Sequence, residues 1–262
     1  MVIGNRHYSV GGNICYLPAD FPPKFAERQP NWSDLHCRNL LILVILPARP
    51  NFLVMSRQID HFVYAVTNLE AACEALEKEL GVAPVEGGVH PDQGTRNALL
   101  NLGEGAYLEV IAKMEDAQQP AGGTWMGMDL VTYPQLNRWC LKSDQLEVDQ
   151  QIVQAYHPGH GQIIEGSRMT PDGERLSWRM LLPLPYPTVE LMPFAVDWST
   201  SSFHPTDRMP QHARFYGFEL WHPAPQTMRA AIHGLGLNMK IHKGAAPKIR
   251  LTIEGPNGKV KL

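Results

Sequence analysis

The strongest constraint on this chain is a plan that returns along it. "IDHFVYAVTNLEAACEALEKELGV", "LNRWCLKSDQLEVDQQIVQAYH" and "RFYGFELWHPAPQTMRAAIHGLGL" each begin with a short apolar strand. Each continues through a turn with Asn, Asp or Pro into a helical pattern of roughly three turns. In the first, Leu69, Ala72, Cys73, Leu76 and Leu80 recur at the i, i+3, i+4 spacing of one buried helix face. Asn68 or Thr67 can cap that helix and Gly81 can end it. Further strand patterns follow each helix: "APVEGG", "TRNALLNLG" and "AYLEVIA"; then "GQIIEGSR", "ERLSWRMLLPL" and "VELMPFAVDW"; then "NMKIHK", "PKIRLTIEG" and "KVKL". Hairpin signals separate the last strands at Gly103-Glu104-Gly105, Pro185-Tyr186-Pro187 and Pro256-Asn257-Gly258. The chain therefore reads as βαβββ three times, an α+β architecture. Aligning the turns sets His61 against Arg138 and Arg138 against Tyr216.

The first 54 residues break this pattern, with scattered Pro and Gly and one apolar run, Leu40 to Leu46, too short to span a membrane. Periodicity begins directly after Met55. The expectation is a disordered N-terminal extension over 1–54 with Met55 as the natural start; the rival is a genuine tail or targeting segment. The paired modules occupy 55–198 and a third βαβββ-like unit 199–262, packed on the same domain. A net charge of −3 offers no basic surface for nucleic acid and no polybasic stretch for a membrane. Cys15, Cys37, Cys73 and Cys140 form no C-x-x-C pair, so zinc knuckles and redox dithiols are unsupported and a reducing cytoplasm is expected. No G-x-S-x-G, Walker or G-x-G-x-x-G motif is present.

A βαβββ unit that opens with "DHFVYAV-NLEAA" and closes with "YLEVIA" resembles the vicinal oxygen chelate superfamily. With "GGVHPDQGTRNALLNLGEGAYLEVIA", "PDGERLSWRMLLPLP", "PFAVDW" and "FELWHPAP", the chain resembles more narrowly its glyoxalase-like branch over residues 57 to 262. The resemblance implies two modules paired into an open curved-sheet barrel, units one and two here, with pairing of units two and three as the alternative. It implies a small-molecule ligand in the barrel cleft and allows a homodimer. In catalytic members one divalent metal (Zn²⁺, Mn²⁺, Fe²⁺ or Ni²⁺) binds residues from the first and last strands of each module and chelates vicinal oxygens, for lyase, isomerase or dioxygenase chemistry. Other members bind small molecules without metal.

Carried across by position, His61 and Glu109 are the catalytic and metal-ligand candidates of unit one. Imidazole nitrogen with carboxylate oxygen suits such metals. Strand alternation sets Ile59, His61 and Val63 on one face and Asp60, Phe62 and Tyr64 on the other. In unit two the matching positions are Arg138 and Phe194, and neither can ligate a metal. The other readings of His61 are a hydrogen-bonded pair with Glu109 in a metal-free pocket, or a purely structural role. His90 and His204 could supply a third ligand or a general acid or base. Arg138 either faces the cleft, pairing with Glu109 or clamping a substrate anion, or yields that place to Trp139 if the register shifts by one. Thr95 and Asn97 could fix a ligand carbonyl or hydroxyl, and Trp178 could line the pocket floor. His157, His160, His222, His233 and His242 read as surface residues.

Overall fold

The structure, a computed structural model, describes residues 7–10, 13–16, 57–114, 125–170, 173–184, 186 and 188–262. In the first unit, β1 (His7–Val10) and β2 (Asn13–Tyr16) pair as an antiparallel hairpin. The rest of the expected extension, with Met55, lies outside the described residues.

The second unit, Phe52–Leu262, carries the repeat. Its first module is β3 (Ile59–Val66), α1 (Leu69–Leu80), β4 (Val85–His90), β5 (Thr95–Gly103) and β6 (Ala106–Lys113). The second is β7 (Gln135–Lys142), α2 (Leu146–Tyr156), β8 (Ile163–Met169), β9 (Arg175–Leu181) and β10 (Phe194–Asp197). Local chemistry explains the elements. The Asn68 side chain accepts from the Ala71 N–H at 2.8 Å and starts α1, and Gly81 at φ 76° ends it. Glu104 and Gly105, both at positive φ, make the two-residue hairpin turn between β5 and β6. Only Phe194–Asp197 of the expected last strand of module two is strand; the preceding residues are loop.

The two modules share one eight-stranded sheet in the order β4-β5-β6-β3-β7-β10-β9-β8. In each module the first and last strands are parallel neighbours, β3 with β6 and β7 with β10. Antiparallel β3 and β7 join the halves, with Phe62 opposite Trp139, His61 opposite Cys140 and Val63 opposite Arg138. That register is symmetric about the Phe62–Trp139 pair. Each strand also carries one extra residue, Asp60 in β3 and Asn137 in β7. His61 and Arg138 are thus equivalent positions. Glu109, opposite Val63, is likewise equivalent to Phe194, opposite Cys140.

Both sheet faces are covered, which is why the strands read as nearly continuous apolar runs. On the outer face Phe62 and Trp139 pack against Phe218, with α1, α2 and the third unit completing the layer. Each such buried side chain contributes about 1.5–3 kcal/mol. On the inner face Val63, Cys140, Phe194 and Val196 form a second cluster.

The third unit is β11 (Arg214–His222), α3 (Arg229–Gly234), β12 (Ile241–Lys243), β13 (Lys248–Gly255) and β14 (Gly258–Lys261). Its element order is that of the modules, but its pairing is β12-β11-β13-β14, so first and last strands are not neighbours. The expected three-turn helix is only a 3-10 turn at Pro225–Thr227 and the six residues of α3. Pro225 fixes the start and Gly234 and Gly236 weaken the end. Among the described residues no helix is long and apolar enough to cross a membrane.

Candidate functional site

The inner face of the barrel encloses a cleft of about 340 Å³. His61, Glu109, His90, Asn97 and Trp178 all line it. Thr95 is buried just behind, its Oγ1 3.1 Å from His90 Nδ1. His204 stands behind His61, linked through Asp60.

Asp60 organises this end of the cleft. Simple alternation would turn it to the outer face, away from His61. As the extra residue of the β3 bulge, it brings its carboxylate to the same side instead. Oδ1 lies 2.7 Å from His61 Nδ1, and Oδ2 accepts from Trp198 Nε1 and His204 Nε2, each at 3.0 Å. Burial alone would raise the Asp60 carboxyl, but the hydrogen bonds and charges of His204 and His61 hold it far below the usual carboxylate range. Asp60 is therefore an ionised acceptor, and both imidazoles donate to it. That fixes the tautomer of His61. Its ring also stacks on Tyr107 at 4.7 Å and meets the edge of Phe194 at 5.2 Å.

With Nδ1 committed to Asp60, Nε2 of a neutral His61 presents a lone pair toward Glu109 Oε2, 3.7 Å away. Glu109 Oε1 is also committed, accepting from Asn97 Nδ2 at 2.5 Å. Two electron-pair donors thus face one another with their other polar atoms fixed. Two such donors are chemically suited to a cation between them, whether a metal ion or a proton. His90 keeps one ring nitrogen beyond its contact with Thr95; burial lowers its pKa, and nearby Glu109 partly offsets this. A second group, Asp60, His61 and Cys140, brings three potential ligand atoms within 4.8 Å. Metal binding there would break the Asp60–His61 bond. It would also ionise a Cys140 thiol that burial, with Asp60 and Glu109, pushes well above its ordinary value.

Arg138 does not line the cleft and forms no ion pair with Glu109, unlike either cleft-facing role expected of it. Its guanidinium donates to the carbonyls of Asn137 at 2.7 Å, Thr188 at 3.0 Å and Leu184 at 2.9 Å, and so pins the loop before β10. Burial lowers its pKa to about 10, with Glu190 opposing. His160, expected on the surface, is 1% exposed. The residues that sequence reasoning missed are Asp60, Tyr107, Arg168, Trp198 and Met126. Met126 lines the cleft at φ 54°, a left-handed conformation unusual for its type, with its carbonyl held by Asn137 Nδ2 at 3.1 Å. A polar Asp beside His61 was the one available signal; the others occupy ordinary strand or loop positions.

Residues 59–236 match the model of a family described as a glyoxalase-like domain. No curated protein matches the chain. Among solved structures, a hypothetical protein from Staphylococcus aureus is 14% identical, with a TM-score of 0.53 over 78% of this chain and 84% of that one. Methylmalonyl-CoA epimerase from Mycobacterium tuberculosis is 20% identical, with a TM-score of 0.36 over 53% of this chain and 86% of its own. A Streptomyces coelicolor methylmalonyl-CoA epimerase variant in complex with 2-nitronate-propionyl-CoA is 18% identical, with a TM-score of 0.36 over 55% and 98%.

Proposed function

Because the chain belongs to the glyoxalase-like domain family, within the vicinal oxygen chelate fold, we propose that it binds a small oxygen-rich molecule in the barrel cleft and acts on it with His61 and Glu109. A divalent metal ion held by His61 Nε2 and Glu109 Oε2, with His90 as third protein ligand, is the reading that the donor set favours. The supporting observation is the 3.7 Å gap between two electron-pair donors whose remaining polar atoms are already bonded to Asp60 and Asn97. Two imidazoles and one carboxylate leave coordination positions open and suit Fe²⁺, Mn²⁺, Zn²⁺ or Ni²⁺. Such an ion would supply Lewis-acid polarisation of adjacent substrate oxygens, the chemistry of a lyase, isomerase or dioxygenase. The chain's own residues do the rest. Asp60 orients His61, Asn97 orients Glu109, and Trp178, Trp198 and Met180 exclude water from the apolar wall. The free thiols of Cys73 and Cys140 suit a cytoplasmic protein.

A second reading, a metal-free binding protein, is favoured by Arg138 and Phe194 standing where module two would supply its own ligands. Metal analysis of the full chain, purified without chelator, separates the two. The expected result is about one divalent ion per chain, absent from His61→Ala and Glu109→Ala. No bound ion after dialysis against Zn²⁺, Mn²⁺, Fe²⁺ and Ni²⁺ would overturn the metal reading and leave the binding one.

A further inference from the structure

Among the described residues, Arg168 is the only arginine or lysine lining the cleft. Its setting differs from that of Arg138. Arg138 is closed in by three carbonyls, whereas the hydrogen bond of Arg168 runs from Nη1 to Gly87 O at 2.8 Å. No carboxylate lies within ion-pair distance of it among the described residues. The guanidinium is half-buried. Burial lowers its pKa, while Tyr107 and Glu109 work in the opposite direction, so it shares the field of the His61 end of the cleft. A guanidinium has five N–H donors in a planar fork. With one donor used and no carboxylate beside it, a half-buried fork is arranged to receive an anion.

The surroundings are shaped for it. Gly88 in β4 leaves the strand bare beside the fork; a Cβ there would lie 3.4 Å from both Cδ and Nη1 of Arg168. On β8, Ile164, Gly166 and Arg168 share one face by alternation. Gly166 pairs in register with Trp178, and a Cβ there would lie 2.5 Å from the indole Nε1. Only glycine at 166 lets the indole rest against the strand. The result is an aromatic face of Trp178 beside a cationic fork, with Trp198 5.5 Å away and tilted at 57° to it. The volume, near the lower end for ligand sites, holds about one ring with a short side chain.

We propose that Arg168 anchors the carboxylate or phosphate of a small, flat, unsaturated organic anion whose body lies along Trp178, with its oxygen-bearing reactive end toward His61 and Glu109. This deepens the cleft reading above and names its substrate class. The test uses benzoate, benzamide and phenyl phosphate as probes, titrated into the full chain by calorimetry and tryptophan fluorescence. Charge-assisted bidentate hydrogen bonding predicts that at least one acid binds about ten-fold or more tighter than the neutral amide. Whichever acid wins identifies carboxylate or phosphate as the recognised group. Arg168→Gln should abolish that preference while benzamide binding persists, and Arg168→Lys should restore part of it. Benzamide serves as the control for folding, since Arg168 also ties β8 to β4. Equal binding of acids and amide to the wild type, no binding of either acid at millimolar concentration, or equal loss of acid and amide in Arg168→Gln would overturn the proposal. A preference that survives Arg168→Gln but vanishes with chelator and in His61→Ala would place the anion on a metal, which defeats the Arg168 anchor while leaving the metal reading intact. A preference that survives chelator and dies with Arg168→Gln supports the anchor whether or not metal binds.

Discussion

Asp60 accepts from His61, His204 and Trp198 at once, and no other residue type of its size can do so. An asparagine there would offer one acceptor oxygen and turn an NH₂ group toward donors that have nothing to give it. Asp60→Asn should therefore lower stability by roughly 1–3 kcal/mol, the range for removing hydrogen bonds to a buried charged group. It should also free His61 to exchange tautomers. Urea unfolding reads the first effect and imidazole ¹⁵N shifts the second; an unchanged midpoint with a single His61 tautomer would refute this role. The same residue shows why part of the site was illegible beforehand. Strand alternation puts Asp60 opposite His61 in face, and only a bulge, which leaves no mark in a single strand's pattern, reverses that. Arg138 went wrong for a related reason. A charged residue in an apolar strand announces a partner, but not whether that partner is a ligand or a ring of loop carbonyls. Strand position makes His61 and Glu109 candidates for one face. His90 reads instead as a loop residue, Asn97 as a polar group at a strand start and Trp178 as a pocket-floor aromatic; the structure puts all five along the cleft.

At the scale of elements, the helices and strands of both modules were legible because their signals are local: i, i+4 apolar faces, Asn68 and Gly81 as caps, and Gly-rich hairpin turns. The strand pairing of the third unit was not, since the order β12-β11-β13-β14 depends on what the unit packs against. Its main attachment to module one is specific. The β13–β14 turn reaches the C-terminus of α1, where the Asn257 N–H donates to Leu80 O at 3.0 Å and its Nδ2 to Lys78 O at 3.1 Å. These satisfy carbonyls that a helix end leaves open. Gly255 lies so close that a Cβ would fall 2.3 Å from Leu80 O, against backbone that cannot swing aside. Asn257→Ala should cost about 1 kcal/mol, and Gly255→Ala more, about 2–3 kcal/mol, by forcing β13 off α1. Hydrogen exchange should show the loosening at the last turn of α1 as well as in β13. Protection lost in β13 alone would mean that the two elements are not coupled.

For the whole molecule, the consequence to test is how folding responds to acid. His160 is buried beside the end of α2, its ring nitrogens have no hydrogen-bond partner among the described residues, and burial, then the charges of His157 and Arg138, lower its pKa to about 4. In the unfolded chain the same imidazole titrates near 6.5. Between those values the unfolded state binds a proton that the folded state refuses, so stability is fully present above pH 6.5 and falls as the pH drops toward 4. The loss attributable to this one ring is at most about 3 kcal/mol. The loss should couple to Arg138, whose positive charge already acts on His160 and which would meet a second positive charge as His160 protonates. His160→Leu keeps the volume roughly constant and removes the titration. Its unfolding free energy, measured in urea from pH 7 to pH 4, should decline less steeply than that of the wild type, with the curves converging or crossing toward the acid end. Parallel curves would assign the acid response to other groups and leave His160 as inert packing.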